Sequence, residues 1–99
     1  MSPSTATRTV TVANPEGLHA RAATMIAEVV RRYQADVKIT KGFDRVDAVD
    51  VLQVLSLATH EGEQLLLEAD GEDAEAVVEE LGRLFVNRFP VEQQRTGSQ

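Results

Sequence analysis

The chain of 99 residues has no cysteine, no tryptophan and a single tyrosine. Without cysteine, disulfide frameworks, thiolate metal sites and cysteine nucleophiles are excluded. That absence is neutral about redox compartment, though it suits a cytosolic protein. No apolar run approaches the ~20 residues needed to span a membrane. Met1-Ser2-Pro3-Ser4-Thr5-Ala6-Thr7 has no basic segment followed by an apolar one, so no secretory signal is expected and the assignment is cytoplasmic. Cations are the minority: Lys and Arg number 10 against 16 Asp and Glu, a formal charge of −6. An acidic chain so poor in aromatics is a poor nucleic-acid binder, because phosphate contacts need clustered Lys and Arg. Any anion site must be built locally.

What remains is ordinary for one globular domain. Residues 1–7 read as a flexible arm, 8–89 as the folded domain and 90–99 as a disordered polar tail. Thr9 to Ala13 alternates polar and apolar, as a half-buried strand does. Asn14-Pro15-Glu16-Gly17 breaks it. Ala22, Met25, Ile26, Val29, Val30 and Tyr33 form a helical stripe over Ala20 to Tyr33. Asp36 to Thr40 and Arg45 to Asp47 are strands about the Lys41–Asp44 turn, whose glycine suits a hairpin. Asp50 can cap a short helix from Val51 to Ala58 by accepting orphan amides of its first turn. Gln64 to Ala69 is apolar enough to be a central strand, and the turn Asp70-Gly71-Glu72-Asp73 provides another cap. Val77, Leu81, Leu84 and Phe85 mark a final helix from Ala74 to Phe89, which Pro90 ends. The order βαββαβα fits an α+β fold, a split βαβ with antiparallel pairing and helices on one face.

The chemistry gathers at Gly17-Leu18-His19-Ala20-Arg21-Ala22-Ala23, where a strand passes through a Pro/Gly turn into a helix. A helix start presents unpaired amides and the positive end of the helix dipole, a ready site for phosphate. Imidazole titrates close to neutrality, so a good part of it is neutral and nucleophilic at cytosolic pH. Phosphoryl transfer asks mainly for in-line geometry and spread positive charge, which Arg21 can supply as a fork of donors.

This stretch resembles the active-site signature of HPr, the histidine-containing phosphocarrier of the bacterial sugar phosphotransferase system. Val51-Leu52-Gln53-Val54-Leu55-Ser56-Leu57 is similar to the second family signature, and Glu61-Gly62 precedes a strand as in the family. The resemblance covers about Arg8 to Phe89. It implies an HPr-like open-faced β-sandwich, a four-stranded antiparallel sheet with three helices on one face. It implies that His19 accepts a phosphoryl group on Nδ1 from enzyme I, which phosphoenolpyruvate charges, and passes it to a IIA component. Arg21 would steady that group, the amides of Ala20 and Ala22 would neighbour it, and Thr24, Val51, Leu52 and Leu55 would dock partners. The protein would be a monomeric, stoichiometric carrier rather than an enzyme, without cofactor, metal, nucleic-acid partner or membrane insertion.

Three positions depart from the family pattern. Proline is usual where this chain has Ala22, and proline is pre-organised for a helix start. Asp50 stands at the regulatory serine of many members, which removes ATP-dependent serine phosphorylation there. Gln53 replaces a small residue or lysine. An alternative reading is a regulatory module of the same fold that acts mainly through Leu52. Leu52 is the best candidate for an exposed contact, since Val51, Val54 and Leu55 share the buried stripe. A histidine phosphatase would need a second acid–base group, and only Glu16 lies near His19 in sequence. His60 reads as an ordinary exposed loop residue, and two histidines so far apart make no metal site.

Overall fold

The computed structural model describes residues 4–90. Its elements follow the expected order: β1 (Thr5–Thr11), α1 (Ala20–Arg31), β2 (Asp36–Lys41), β3 (Asp44–Asp47), α2 (Val51–Ser56), β4 (Gln64–Asp70) and α3 (Ala74–Val86). The strands form one antiparallel sheet in the order β1-β4-β2-β3. Three helices cover one face: α3 lies on β1 and β4, α1 packs against α2 and α3, and α2 lies beside β3.

Strand periodicity explains why one face is covered and the other open. Val10, Val37, Ile39, Leu65, Leu67 and Ala69 point inward and are buried. Against them the helices bury Ile26, Val30, Val54, Val77, Leu81 and Phe85. The other face carries polar cross-strand pairs. Lys38 sits opposite Asp47 and approaches its carboxylate to 3.7 Å, and Arg45 meets Glu68 at 3.1 Å. Such exposed pairs add little stability but keep the open face solvated.

Several boundaries differ from the sequence expectation. β1 begins at Thr5 rather than Thr9, so Thr5, Ala6 and Thr7 of the expected arm pair with Asp70, Ala69 and Glu68. Ladder bonds come from the backbone, and threonine suits a pleated strand without any apolar pattern. Residues 1–3 and 91–99, including all of the expected tail except Pro90, lie outside the described residues. α1 stops at Arg31 rather than Tyr33. There Tyr33 donates its hydroxyl hydrogen bond to Glu80 of α3, and Arg32 pairs with the same carboxylate. Asp73 makes no side-chain capping bond; its carboxylate instead accepts Gln34 N–H at 2.8 Å, tying α3 to the chain after α1.

The largest difference is at the end of α3. The helix stops at Val86, and Arg88 and Phe89 take left-handed φ values of 60° and 53°. Pro90 disfavours a right-handed helical conformation at the residue before it. The reversal turns Phe89 back into the core, fully buried, with its ring 4.9 Å from Phe85 in an edge-to-face contact. Phe89 N–H bonds Leu84 O at 2.9 Å, closing the helix end.

Candidate functional site

β1 delivers the chain to a tight turn in which Gly17 N–H donates to Asn14 O at 3.0 Å. Gly17 is buried at φ +74°, and a Cβ there would lie 2.1 Å from the Thr59 carbonyl oxygen. Glycine is therefore required by close approach as well as by conformation, and Gly17 is a fixed packing point rather than a loose hinge. Leu18 N–H donates to Thr59 Oγ1 at 2.9 Å, a buried bond. The loop after α2 thus grips the two residues before His19.

His19 is the N-cap of α1, with extended backbone angles of −90° and −178°. Its Nδ1 accepts the Ala22 amide at 3.3 Å, a long bond that satisfies one orphan donor of the first turn. Accepting there leaves the proton of the neutral ring on Nε2. That atom is buried without a hydrogen-bond partner, and the Glu16 carboxylate lies 3.9 Å from it. Since α1 starts at Ala20, Ala22 is the third helical residue and not the first. Proline at 22 would remove the very amide that meets Nδ1.

Arg21 makes its hydrogen bonds at residues other than His19. Its Nη1 donates to the Phe89 carbonyl at 2.8 Å and lies 3.5 Å from Met25 Sδ. The neighbouring carbonyl, that of Arg88, accepts Asn14 Nδ2 at 3.1 Å. Two successive carbonyls of the left-handed turn therefore hold the histidine loop on one side and the start of α1 on the other. Sequence reasoning missed Asn14, Thr59 and the 88–89 turn. Thr59 is 41 residues from its partner and carries no local signal.

The expected docking residues lie on the adjoining helices. Leu52 is 78% exposed, Thr24 is exposed, and Val51 and Leu55 are half-buried against the core. Asp50 caps α2 by accepting Gln53 N–H at 3.2 Å. The Gln53 side chain accepts Asp47 N–H, also at 3.2 Å, so it is used in the β3–α2 turn. Behind α2, Lys41 Nζ donates to the carbonyls of Leu57 and Ala58 and approaches Glu63 to 3.4 Å. Glu63 accepts His60 N–H at 2.7 Å, and this bond, aided by Lys41, holds its carboxyl below the usual range. No group of three or more metal-ligating side chains converges among the described residues, and no described helix is long and apolar enough to cross a membrane.

The family model described as "PTS HPr component phosphorylation site" matches residues 6–87. The chain belongs to the HPr phosphocarrier family. The phosphocarrier protein NPr of Shewanella violacea is 37% identical over 82 residues, 83% of this chain and 90% of that protein. A multiphosphoryl transfer protein of Xanthomonas campestris pv. campestris is 37% identical over 72% of this chain but only 8% of its own length, so there the HPr-like unit is one part of a much longer protein. The crystal structure of HPr-C-His from Thermoanaerobacter tengcongensis superposes with a TM-score of 0.81 at 26% identity, covering 88% of this chain and 98% of that one. The open-faced fold is thus the HPr fold. The matched residues include the strand–turn–helix junction at His19.

Proposed function

We propose that the protein is a cytoplasmic, monomeric, stoichiometric phosphoryl carrier. His19 Nδ1 takes a phosphoryl group from the phosphohistidine of enzyme I and hands it to a IIA component. The supporting observation is the N-cap geometry: Nδ1 faces the start of α1 and meets the Ala22 amide at 3.3 Å. The Nδ1 lone pair forms the new P–N bond as the donor's bond to phosphorus breaks. The Ala22 amide, freed from Nδ1, then has a phosphoryl oxygen to meet, and the Ala20 amide lies in the same turn. Arg21 supplies further donors after leaving the Phe89 carbonyl, since guanidinium bonds to phosphate are stronger than those to a neutral carbonyl. Leu52, with Val51 and Leu55 on α2 and Thr24 on the α1 helix that packs against it, gives partners an apolar seat.

Incubation with phosphoenolpyruvate and enzyme I should add one acid-labile phosphoryl group, and His19→Ala should abolish the gain in mass. An unchanged mass in an assay that charges another HPr would refute the carrier reading.

The exposure of Leu52 also supports a second reading, a regulatory module that acts by docking alone. Asp50 favours it: a permanent carboxylate stands at the helix start beside Leu52, where a serine would allow control by phosphorylation. Partners that bind equally well after His19→Ala but are lost after Leu52→Glu would select this reading over carriage.

A further inference from the structure

The carrier reading leaves one feature of the ring unused. Among the described residues, two buried side-chain atoms lack a hydrogen-bond partner, and one of them is His19 Nε2. The other, Asn14 Oδ1, belongs to a side chain already fixed by its amide on the Arg88 carbonyl. The only ion pair of the His19 ring among the described residues is with Glu16, at 3.9 Å. A carboxylate movement of about 1 Å would close that gap to an ordinary hydrogen bond. Glu16 sits in the turn between Asn14 and Gly17, and its side chain is 60% exposed, free to make that movement. The neighbouring cation on α1, Arg21, is engaged at the Phe89 carbonyl.

We propose, on the basis of the carrier reading, that Glu16 is a positioning residue that keeps the proton on His19 Nε2 while Nδ1 carries the phosphoryl group. The balance of the transfer shows why this matters. Uptake uses the Nδ1 lone pair and leaves Nε2–H in place, so the phosphorylated ring is a cation. Release breaks the P–N bond and returns the electron pair to Nδ1, leaving a neutral ring with its Nε2 proton. If Nε2–H is held throughout, neither step moves a proton on His19. If the proton escapes to solvent, the leaving group becomes imidazolate, and release must wait for reprotonation. A carboxylate facing Nε2–H opposes that escape, as a carboxylate partner commonly fixes the proton of a working histidine.

The test uses the full chain charged chemitally by phosphoramidate, which needs no partner protein. His19→Ala serves to subtract any phosphoryl group on His60. Loss of phosphohistidine is followed by phosphorus NMR across a pH series in the wild type, Glu16→Gln and Glu16→Asp. With the carboxylate partly solvated, Glu16→Gln should lose the group about fivefold more slowly than the wild type near pH 8. The two should converge as the pH is lowered, because abundant protons then replace any lost from Nε2. Glu16→Asp should follow the wild type, and nitrogen NMR of the phosphorylated ring should show Nε2–H depleted only in the Gln variant. A purely structural role would alter loading or melting temperature without moving the pH profile. Coincident profiles for wild type and Glu16→Gln would overturn the role of Glu16 and leave the carrier reading standing. Failure of His19 to hold a phosphoryl group in any variant would overturn both.

Discussion

Replacing Gly17 by alanine probes how tightly the histidine loop is built. Two costs are separable. The left-handed φ of +74° is strained for any residue with a Cβ, by about 1–2 kcal/mol. The Cβ would also lie 2.1 Å from the Thr59 carbonyl oxygen, 3.0 Å from its carbon and 3.3 Å from Oγ1. The Thr59 backbone must move, and the bond from Leu18 N–H to Thr59 Oγ1 is the first to suffer. Leaving that buried amide unpaired costs about 1–3 kcal/mol. The sum is roughly 2–5 kcal/mol, less a few tenths recovered from the stiffer unfolded chain. Gly42 provides the control. Its φ is +61°, but nothing lies within 4 Å of a Cβ there, so Gly42→Ala carries strain without collision. Urea denaturation should therefore place Gly17→Ala about 1–3 kcal/mol below Gly42→Ala, a midpoint shift on the order of 1 M. At a temperature where both are folded, only Gly17→Ala should slow phosphoryl uptake, because displacement of a reacting group by an ångström is costly. Equal stabilities for the two variants would refute the claim that Gly17 is held by close approach.

Two further substitutions test other parts of the molecule. Leu52→Glu should change stability by less than about 0.5 kcal/mol, since the side chain is 78% exposed. It should slow transfer from enzyme I by roughly tenfold while leaving chemical loading of His19 unaltered; equal enzymatic transfer would remove Leu52 from the docking surface. Glu63→Gln should lower the melting temperature near neutral pH. The folded carboxyl is held below its unfolded value of 4.5, chiefly by His60 N–H, so its contribution is present above that value and lost as pH falls through the folded one. Melting curves of the variant and wild type should draw together as the pH falls below the unfolded value, and a gap that does not narrow there would count against the assignment.

The element order and the histidine junction were legible because both depend on local pattern. Apolar residues at helical spacing marked α1 and α3, and Gly17 to Ala23 placed His19 at a helix start. Leu52 could be read as exposed because it falls beside the stripe shared by Val51, Val54 and Leu55. Asp50 could be read as a cap because a carboxylate there has only nearby amides to meet. Position 73 had the same local logic, yet Asp73 turned to Gln34, a partner brought by tertiary packing. The same reason hid Thr59, whose hydroxyl acts on Leu18 from across the fold. The end of α3 misled for another reason. Phe89 continues the apolar spacing, but it reaches the core by reversing the backbone through two left-handed residues rather than by extending the helix.

That reversal bears on the proposed carrier more than the helix end alone would suggest. It turns two consecutive carbonyls toward the site, where Asn14 holds the first and Arg21 the second. The two bonds differ in kind. Asn14 is buried, and releasing its amide would leave a polar group unpaired in the interior. Arg21 is exposed, so its guanidinium can exchange the Phe89 carbonyl for a phosphoryl oxygen, at the cost of unpairing that carbonyl. A phosphoryl oxygen carries negative charge where the carbonyl is neutral, and it can meet the guanidinium fork at two oxygens, so arrival of the phosphoryl group favours the exchange. Asn14 meanwhile keeps the turn in place, and Phe89 stays packed against Phe85. On the carrier reading we propose, the positive charge then follows the phosphoryl group onto and off His19 while Asn14 and Phe89 keep the fold around the ring.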